Sequence, residues 1–212
     1  MTALLQVKDL GLHVAGRSLV QGLSFTVQAG ERWCVIGRNA VGKSTLLRAL
    51  AGLGAVAPAE SQPLHNAPGL RRAYLPQSSQ DRFDLTVREL IGLQPALAPD
   101  AAALQARCAE LGEALDLVDL LGRPITQLSG GERQRVGLAA VAAQDAGLWL
   151  LDEPVSFQDP AHQRMVAQWL RAQSAPLPGG AANAKPRPGI VMSAHDMTWV
   201  QSVATHIIAA YA

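Results

Sequence analysis

The amino-acid sequence predicts an α/β fold in which helices pack on a mainly parallel β-sheet. The first observation is that apolar segments of strand length alternate along the chain with segments of helical periodicity, as in βαβ units. The second is that "LWLLDEP" and "IVMSAHD" contain continuous apolar runs, which are typical of strands buried on both faces. With 212 residues, of which 49% are apolar, the chain suits a single domain with a sizeable core.

The N-terminal part predicts strands, a glycine-rich turn and a helix. The segments "LLQVKDLGLHV" and "SFTVQ" alternate in a strand-like way, and "RWCVIG" is a short apolar strand that leads into the turn. The helix "KSTLLRALAGLG" follows and ends at glycines. Residues 54–70 are rich in Ala and Pro and therefore predict irregular structure.

The middle of the chain interrupts this alternation. After the short strand "RRAYLPQ", residues 86–122 have helical character with a break at "LQPALAPD". We therefore predict an α-helical subdomain inserted into the sheet-containing core. The predicted single domain consists of core segments 1–77 and 129–212 and the helical insertion 78–128.

The C-terminal part returns to helices and strands. The segment "GERQRVGLAAVAAQDAG" predicts a helix that begins after a glycine pair, and "PAHQRMVAQWLRAQ" predicts an amphipathic helix with Pro at its start. The composition of residues 174–189 predicts a flexible loop. The segment "HIIAAYA" is expected to be an edge strand.

Composition and charge argue against several classes of function. The 18 basic and 17 acidic residues give a net charge of +1, so we expect no nucleic-acid partner. Cys34 and Cys108 lack metal-ligand spacing, which predicts free thiols in a reducing compartment. The N-terminus lacks the apolar core of a signal peptide, and no apolar run reaches about 18 residues. We therefore expect a cytoplasmic protein that only a partner would hold at a membrane.

The segment "GRNAVGKST" at residues 37–45 fits a phosphate-binding loop. Its glycines let the backbone curl so that successive N–H groups point at a phosphate, and the helix behind adds its positive N-terminal end. Lys43 supplies a compact charge to the β- and γ-phosphates, and Ser44 offers a hydroxyl to Mg²⁺. A chance match is the alternative, but the strand before and the helix after favour a P-loop NTPase. The predicted nucleotide contacts in this loop are Gly37, Arg38, Asn39, Ala40, Val41, Gly42, Lys43, Ser44 and Thr45.

Two acidic residues end the buried strand "LWLLDEP". The carboxyl end of such a strand lies at the ligand-binding edge of a parallel sheet. We expect Asp152 to hold Mg²⁺, directly or through water, and Glu153 to polarise a water molecule in line with the γ-phosphate. For this motif alone, a strand that ends in solvated acids is the alternative.

The segment "LSGGERQ" at residues 128–134 distinguishes between classes of P-loop protein. Ser129, Gly130 and Gly131 at a helix start can form an anion site, although an ordinary helix cap has the same features. The phosphate loop, "LSGGERQ", "LWLLDEP" and "SAHD" occur in the order of the ATP-binding-cassette (ABC) ATPases, with similar spacing. The chain therefore resembles this family over most of its length.

The resemblance to ABC ATPases implies roles for further residues. Gln77 would contact Mg²⁺ and the attacking water, and His195 would grip the γ-phosphate, so both would join Lys43 and Glu153 in hydrolysis. Asp159 would cross the interface of a head-to-tail dimer that traps ATP between two copies. The residues implied to contact the ATP of the second copy are Ser129, Gly130, Gly131 and Gln134.

The sequence also departs from the family pattern. The aromatic residue that stacks on adenine falls near Val14, beside His13, so we assign the adenine contact to Val14 without an aromatic ring. The antiparallel strands that the resemblance implies for the N-terminal part are expected to be only partly present. No role in the site is assigned to His13, His65, His162 and His206.

The resemblance implies an ATPase subunit of an ABC transporter, with ATP and Mg²⁺ as its cofactors. Its partners would be a second copy, separate transmembrane permease subunits and a substrate-binding protein, which places it on the inner face of the cell membrane. The pattern is most similar to importers of metal chelates such as iron-siderophore complexes or cobalamin. A haem-export ATPase and an ABC ATPase without a permease remain alternatives. A module that has lost hydrolysis and a P-loop kinase fit less well, because Glu153, Gln77, His195 and "LSGGERQ" occur together.

Overall fold

The computed structural model describes residues 2–14, 17–53, 64–77, 84–93, 100–175 and 187–210. Its strands are β1 (Ala3–Val14), β2 (Arg17–Gln28), β3 (Arg32–Ile36), β4 (Leu64–Asn66), β5 (Arg72–Leu75), β6 (Leu148–Leu151), β7 (Gly189–Ala194) and β8 (His206–Ala209). Its α-helices are α1 (Lys43–Ala51), α2 (Val87–Gly92), α3 (Ala101–Ala114), α4 (Gly130–Ala143), α5 (Pro160–Ser174) and α6 (Met197–Val203). The predicted irregular segment at 54–70, the break at "LQPALAPD" and the flexible loop at 174–189 lie largely outside the described residues.

Five strands form the parallel sheet that the sequence predicts, in the order β5-β6-β7-β3-β8. The two strands with continuous apolar sequences, β6 and β7, lie next to each other and are buried at every residue. β8 forms one edge, and its residues His206 and Ile207 are exposed. The α/β fold class is thus confirmed, and the most apolar strands are the ones covered on both faces.

The two faces of the parallel sheet pack against different layers. Leu148 and Leu150 point to the side of α1 and the antiparallel sheet, where they join one apolar cluster. Trp149 and Leu151 point to the opposite side, where α4, α5 and α6 supply the other cluster. Trp149 stacks there on Trp169 of α5 at a centroid distance of 5.7 Å. The alternation of side chains along β6 therefore joins the two halves of the core.

A three-stranded antiparallel sheet, in the order β2-β1-β4, completes the N-terminal part. The sequence predicts strand structure in "SFTVQ" alone, whereas β2 extends back to Arg17. The reason is tertiary, because β1 pairs with β2 along its length through several register shifts. β4 lies within residues 54–70, so the prediction of irregular structure is wrong for its 3 residues, which pairing with β1 makes a strand. Its short length agrees with the expectation that the antiparallel strands are only partly present.

Helices and turns make up the described part of the middle region. α2 and α3 are followed by the 3₁₀ turns Val118–Leu120 and Ile125–Gln127. α2 begins with a capping box in which the Thr86 hydroxyl accepts the Glu89 N–H, and the Glu89 carboxylate accepts the Thr86 N–H. None of the helices within the described ranges is long and apolar enough to cross a membrane.

The start of α4 differs from the prediction. The sequence places it after the glycine pair, whereas the helix begins at Gly130, with Ser129 as its N-cap. The physical reason is a second capping box: the Ser129 hydroxyl accepts the Glu132 N–H, and the Glu132 carboxylate accepts the Ser129 N–H at 2.7 Å. Gly130 and Gly131 are therefore held in the first turn.

Candidate nucleotide-binding site

A cleft of about 1430 Å³ opens at the carboxyl end of the parallel sheet. It collects side chains that follow four different strands: the glycine-rich loop after β3, Gln77 after β5, Glu153 after β6 and His195 after β7. The predicted loop residues that line it are Gly37, Arg38, Asn39, Ala40, Gly42, Lys43, Ser44 and Thr45. Val41 does not line it, because its side chain is only 6% exposed and packs against Gly37.

The glycine-rich loop contains backbone turns that only some residues adopt easily. Gly42 has a φ of 104°, and a Cβ there would lie 3.1 Å from the Leu19 side chain. Ala40 has a φ of 62° despite its Cβ, so this position stores backbone strain. Such left-handed turns curl the chain around the start of α1, as expected for a phosphate-binding loop.

Lys43 lies inside this loop rather than at the surface. Its side chain is buried, and the ammonium nitrogen donates to the carbonyl of Gly37 at 2.9 Å and to the carbonyl of Arg38 at 3.1 Å. No carboxylate among the described residues forms a salt bridge with it. A buried ammonium held only by carbonyls is well placed to gain an anionic partner from the cleft.

Glu153 is the carboxylate that faces the cleft. One of its oxygens, Oε2, accepts hydrogen bonds from the Gln77 amide at 3.0 Å and from the Ser156 hydroxyl at 2.8 Å. The other, Oε1, lies 3.9 Å from Nδ1 of His195. The structure therefore brings together Glu153, Gln77 and His195, which the sequence assigns to the same reaction. Their distances suit a carboxylate that orients a water molecule beside the phosphate loop.

Ser193 on β7 positions both acidic residues, and the sequence analysis missed it. Its hydroxyl donates to Oδ1 of Asp152 at 2.5 Å and accepts the backbone N–H of Glu153 at 2.9 Å. Both Ser193 and Asp152 are buried. The available signal was a lone polar residue near the end of a buried strand, which parallel pairing with β6 sets beside the acids.

The start of α4 does not line the cleft of its own chain. Gly131 packs against the segment between Glu153 and α5, where an added Cβ would lie 2.7 Å from the Phe157 carbonyl oxygen. Phe157 itself has a φ of 63° and is 79% exposed, and sequence reasoning did not single it out. Ser129 and Gly130 are exposed beside it. Any nucleotide that these residues bind must therefore come from outside the chain's own cleft.

Gln134 differs from the other residues assigned to the second copy's nucleotide. Its side chain is buried, and its amide nitrogen donates to the backbone carbonyl of Glu153 at 3.0 Å. It faces inward because its position on α4 turns toward the end of β6. In this conformation Gln134 supports the chain's own acidic strand end and offers no side chain to a second copy.

Asp159 is the N-cap of α5, and it also binds a histidine. Its Oδ1 accepts the backbone N–H groups of Ala161 and His162, and its Oδ2 lies 2.6 Å from Nδ1 of His162. Hydrogen bonds from His162, backbone first and side chain second, lower the pKa of the exposed Asp159 carboxyl to about 2. The sequence analysis assigned no role in the site to His162, and the structure sets it directly against Asp159, as helical spacing allows.

The described residues that line the cleft include no Phe, Trp or Tyr. The backbone of Val14 ends β1, where it pairs with Arg17, while its side chain lies outside the described residues. His13 is exposed. Leu19 and Met197, which the sequence analysis did not select, line the cleft instead. Aliphatic contact is therefore what the described residues offer to a base.

The oxygen atoms around the cleft fit Mg²⁺ shared with a phosphate. The Asp152 carboxylate, the Ser44 hydroxyl and the Gln77 amide oxygen are hard donors of the kind that Mg²⁺ prefers. The Gln77 amide nitrogen already donates to Glu153, which leaves its oxygen for a cation. Among the described residues no group of three or more His, Cys, Asp or Glu could hold a metal ion by itself.

Comparisons with known proteins show the family to which the chain belongs. The family model for ABC transporters matches residues 20–156. A hemin import ATP-binding protein of Streptomyces coelicolor is 40% identical over 78% of this chain. The matched region covers 63% of that protein's length. A protein of the same name from Rhizobium meliloti is 32% identical over 97% of this chain and 81% of its own.

A solved structure has the same fold. A metal-chelate type ABC transporter in an inward-facing conformation superposes with a TM-score of 0.78 at 25% sequence identity, over 99% of this chain and 80% of that one. The phosphate loop, the acidic strand end and the α4 start all lie within the residues that the family match covers. The chain belongs to the ABC transporter family, as an ATP-binding domain of the kind that hydrolyses ATP.

Proposed function

We propose that this chain is the ATP-hydrolysing subunit of an ABC transporter that imports a metal chelate. The observation that carries the ATPase part is the cleft in which Lys43, Gln77, Glu153 and His195 meet. The relatives are named hemin import ATP-binding proteins, which supports import as the direction of transport and a metalloporphyrin as the chelate. The metal-chelate type of the structural neighbour supports the same substrate class. These names favour import over the haem-export alternative.

In the proposed hydrolysis, some residues of the cleft bind the phosphates and others activate the attacking water. The backbone of the loop and Lys43 bind the β- and γ-phosphates, and His195 approaches the γ-phosphate from β7. Glu153, held by Gln77 and Ser156, orients the attacking water and accepts its proton. Bound Mg²⁺, held by Ser44, Gln77 and Asp152, would neutralise the charge on the phosphate oxygens.

A second copy of the chain would complete each ATP site. Ser129 and Gly130 are exposed but lie outside their own cleft, so they are free to meet the γ-phosphate held by a partner. Asp159 is exposed beside the same surface and would lie at the dimer interface. Closure of two copies around ATP is the step that would drive the transporter, because ATP then binds the closed dimer better than the separate copies.

The remaining partners are membrane components. We propose that the chain docks on transmembrane permease subunits at the inner face of the cell membrane. A substrate-binding protein would deliver the chelate from the other side. This arrangement follows from the import function of the relatives.

Hemin uptake tests the proposed function directly. The chain is expressed with its permease in bacteria that lack their own hemin import ATPase, and growth on hemin as sole iron source is measured. We expect growth with the natural chain and none with Lys43→Ala, which loses the buried ammonium of the phosphate loop. Equal growth with both chains, or none with the natural chain beside a working hemin ATPase control, contradicts the proposal.

A further inference from the structure

A polar cluster lies outside the cleft, where α5 meets the helical region. His162 is at its centre, with Nδ1 lying 2.6 Å from Oδ2 of Asp159 and Nε2 lying 3.2 Å from Oδ2 of Asp116. Asp116 follows α3 and also lies 3.8 Å from the guanidinium of Arg135 on α4. The cluster therefore joins α5, the turn after α3 and α4. None of its four side chains lines the cleft.

The geometry favours the protonated form of His162. Each ring nitrogen faces a carboxylate oxygen, and an ionised carboxylate can only accept hydrogen bonds. A neutral imidazole has a single N–H, so both contacts are hydrogen bonds only when the ring is protonated. Hydrogen bonds to Asp159 and then to Asp116 raise the pKa of His162, while partial burial and then Arg135 oppose the shift. Among the described residues, Asp159, Asp116 and Arg135 are the charged groups that act on the ring.

Both ends of this cluster are anchored. Arg135 is buried and donates through Nε to the Leu115 carbonyl at 3.0 Å, so it holds the Asp116 turn against α4. Asp116 has a φ of 54°, a left-handed conformation that persists in a non-glycine residue only when surrounding contacts hold it. At the other end, Oδ1 of Asp159 accepts hydrogen bonds from two backbone N–H groups of α5. His162 is the link between these two anchored carboxylates.

We propose that protonated His162 is a positioning residue, which holds Asp159 in register with the α4 start so that both meet the second copy together. The inference rests on the proposed function, because only the two-copy ATP site gives Asp159 and Ser129 a common task. Ser129 is the N-cap of α4, and Arg135 lies on the same helix, less than two turns further along. The contacts from Arg135 to Asp116 and from Asp116 to His162 therefore connect the α4 start with Asp159. His162 does not line the cleft, so it acts through Asp159 and not on ATP.

The proposal predicts a dependence on pH with a definite sign. The folded-state pKa of His162 is raised, so the contribution of the link is present below the ordinary pKa of histidine and is lost as pH rises through the raised value. Dimer closure driven by ATP, and with it kcat, should therefore show an alkaline fall, as the pH rises through this raised pKa of His162. The KM for ATP should change little over the same pH range, because His162 does not line the cleft.

Two substitutions at position 162 and one at 116 test the link. His162→Gln removes the charge and the contact with Asp159, whereas His162→Asn keeps a donor near the Nδ1 position. We expect kcat at neutral pH to fall about threefold to tenfold in His162→Gln, with the KM for ATP nearly unchanged and a smaller loss in His162→Asn. The alkaline fall of kcat should disappear in His162→Gln, and unchanged kcat and pH profile in that variant would overturn the proposal.

Asp116→Asn gives a readout that does not depend on turnover. Removing this carboxylate should lower the pKa of His162, measured by NMR of the ring, and move the alkaline fall of kcat to lower pH. An unchanged pKa of His162 contradicts the link even where every variant folds. If the natural chain hydrolyses ATP and dimerises while all three variants match it, this inference alone fails. If the natural chain does neither, the proposed function fails with it.

Discussion

Ala40 is the residue at which the phosphate loop departs most clearly from what backbone conformation favours. Its φ of 62° places a Cβ in the left-handed region, which disfavours residues other than glycine. The side chain is exposed, so no packing compensates the strain. Sequence reasoning assigned Ala40 to the nucleotide contact, and its strain became visible only once the backbone was known.

Ala40→Gly should therefore stabilise the chain. Relief of the left-handed strain outweighs the extra freedom of glycine in the unfolded chain, and we expect the free energy of unfolding to rise by about 0.5–1 kcal/mol. Urea unfolding without nucleotide measures the change. Ala106→Gly, at an exposed position in the interior of α3, is the matched control and should lower stability by about 1 kcal/mol. A destabilised Ala40→Gly variant would contradict the assignment of strain.

Ser193 shows how one buried hydroxyl can govern two acidic residues. Ser193→Ala removes the donor to Asp152 and the acceptor for the Glu153 N–H. We expect kcat for ATP hydrolysis to fall about 10- to 100-fold, since a hydrogen bond to a charged group contributes a few kcal/mol. Steady-state ATPase assays measure the effect. Ser202→Ala, on α6 and outside the cleft, should retain the natural rate, and an equally active Ser193→Ala would show that Ser193 does not position the acids.

At the scale of elements, the sequence predicts what is encoded in contiguous residues. β6 and β7 follow from uninterrupted apolar runs, and α5 follows from Asp159-Pro160 at its start and an apolar stripe behind. The length of β2 could not be predicted, because it depends on pairing with β1. The same limit applies to the site: the motif residues were found, but Ser193 and His162 acquire their roles only from contacts between elements distant in sequence.

The packing of the α4 start against the Phe157 segment predicts the effect of a substitution at Gly131. A Cβ at Gly131 would lie 2.7 Å from a backbone oxygen, so Gly131→Ala must displace the helix start or the segment. We expect the free energy of unfolding to fall by about 1–3 kcal/mol and ATP turnover to be lost, while calorimetric ATP binding to the cleft persists. Gly122→Ala meets no atom within 4 Å and serves as the control. Unchanged turnover in Gly131→Ala would show that the α4 start has no part in hydrolysis.

At the scale of the whole molecule, we propose that the cleft and the α4 start are two half-sites on one chain. The cleft supplies Lys43, Glu153 and His195, and the exposed Ser129 and Gly130 lie outside it. A head-to-tail dimer would bring each half-site to the complementary half of its partner, and a two-fold axis would complete both sites at once. The sequence suggested this arrangement through resemblance alone. The fold adds that Ser129 and Gly130 are exposed and are not among the residues that line the cleft of their own chain.

The measurement that tests the two-copy site most directly is complementation between inactive variants. Lys43→Ala disables the cleft, and Ser129→Arg disables the α4 start, so each variant alone should hydrolyse almost no ATP. In a mixture, a heterodimer has one intact site, formed by the cleft of the Ser129→Arg chain and the α4 start of the Lys43→Ala chain. We predict that an equimolar mixture recovers about a quarter of the natural rate, because half of the dimers would be mixed and each would keep one of two sites. No recovery at any mixing ratio, with both variants folded, would contradict the shared ATP site.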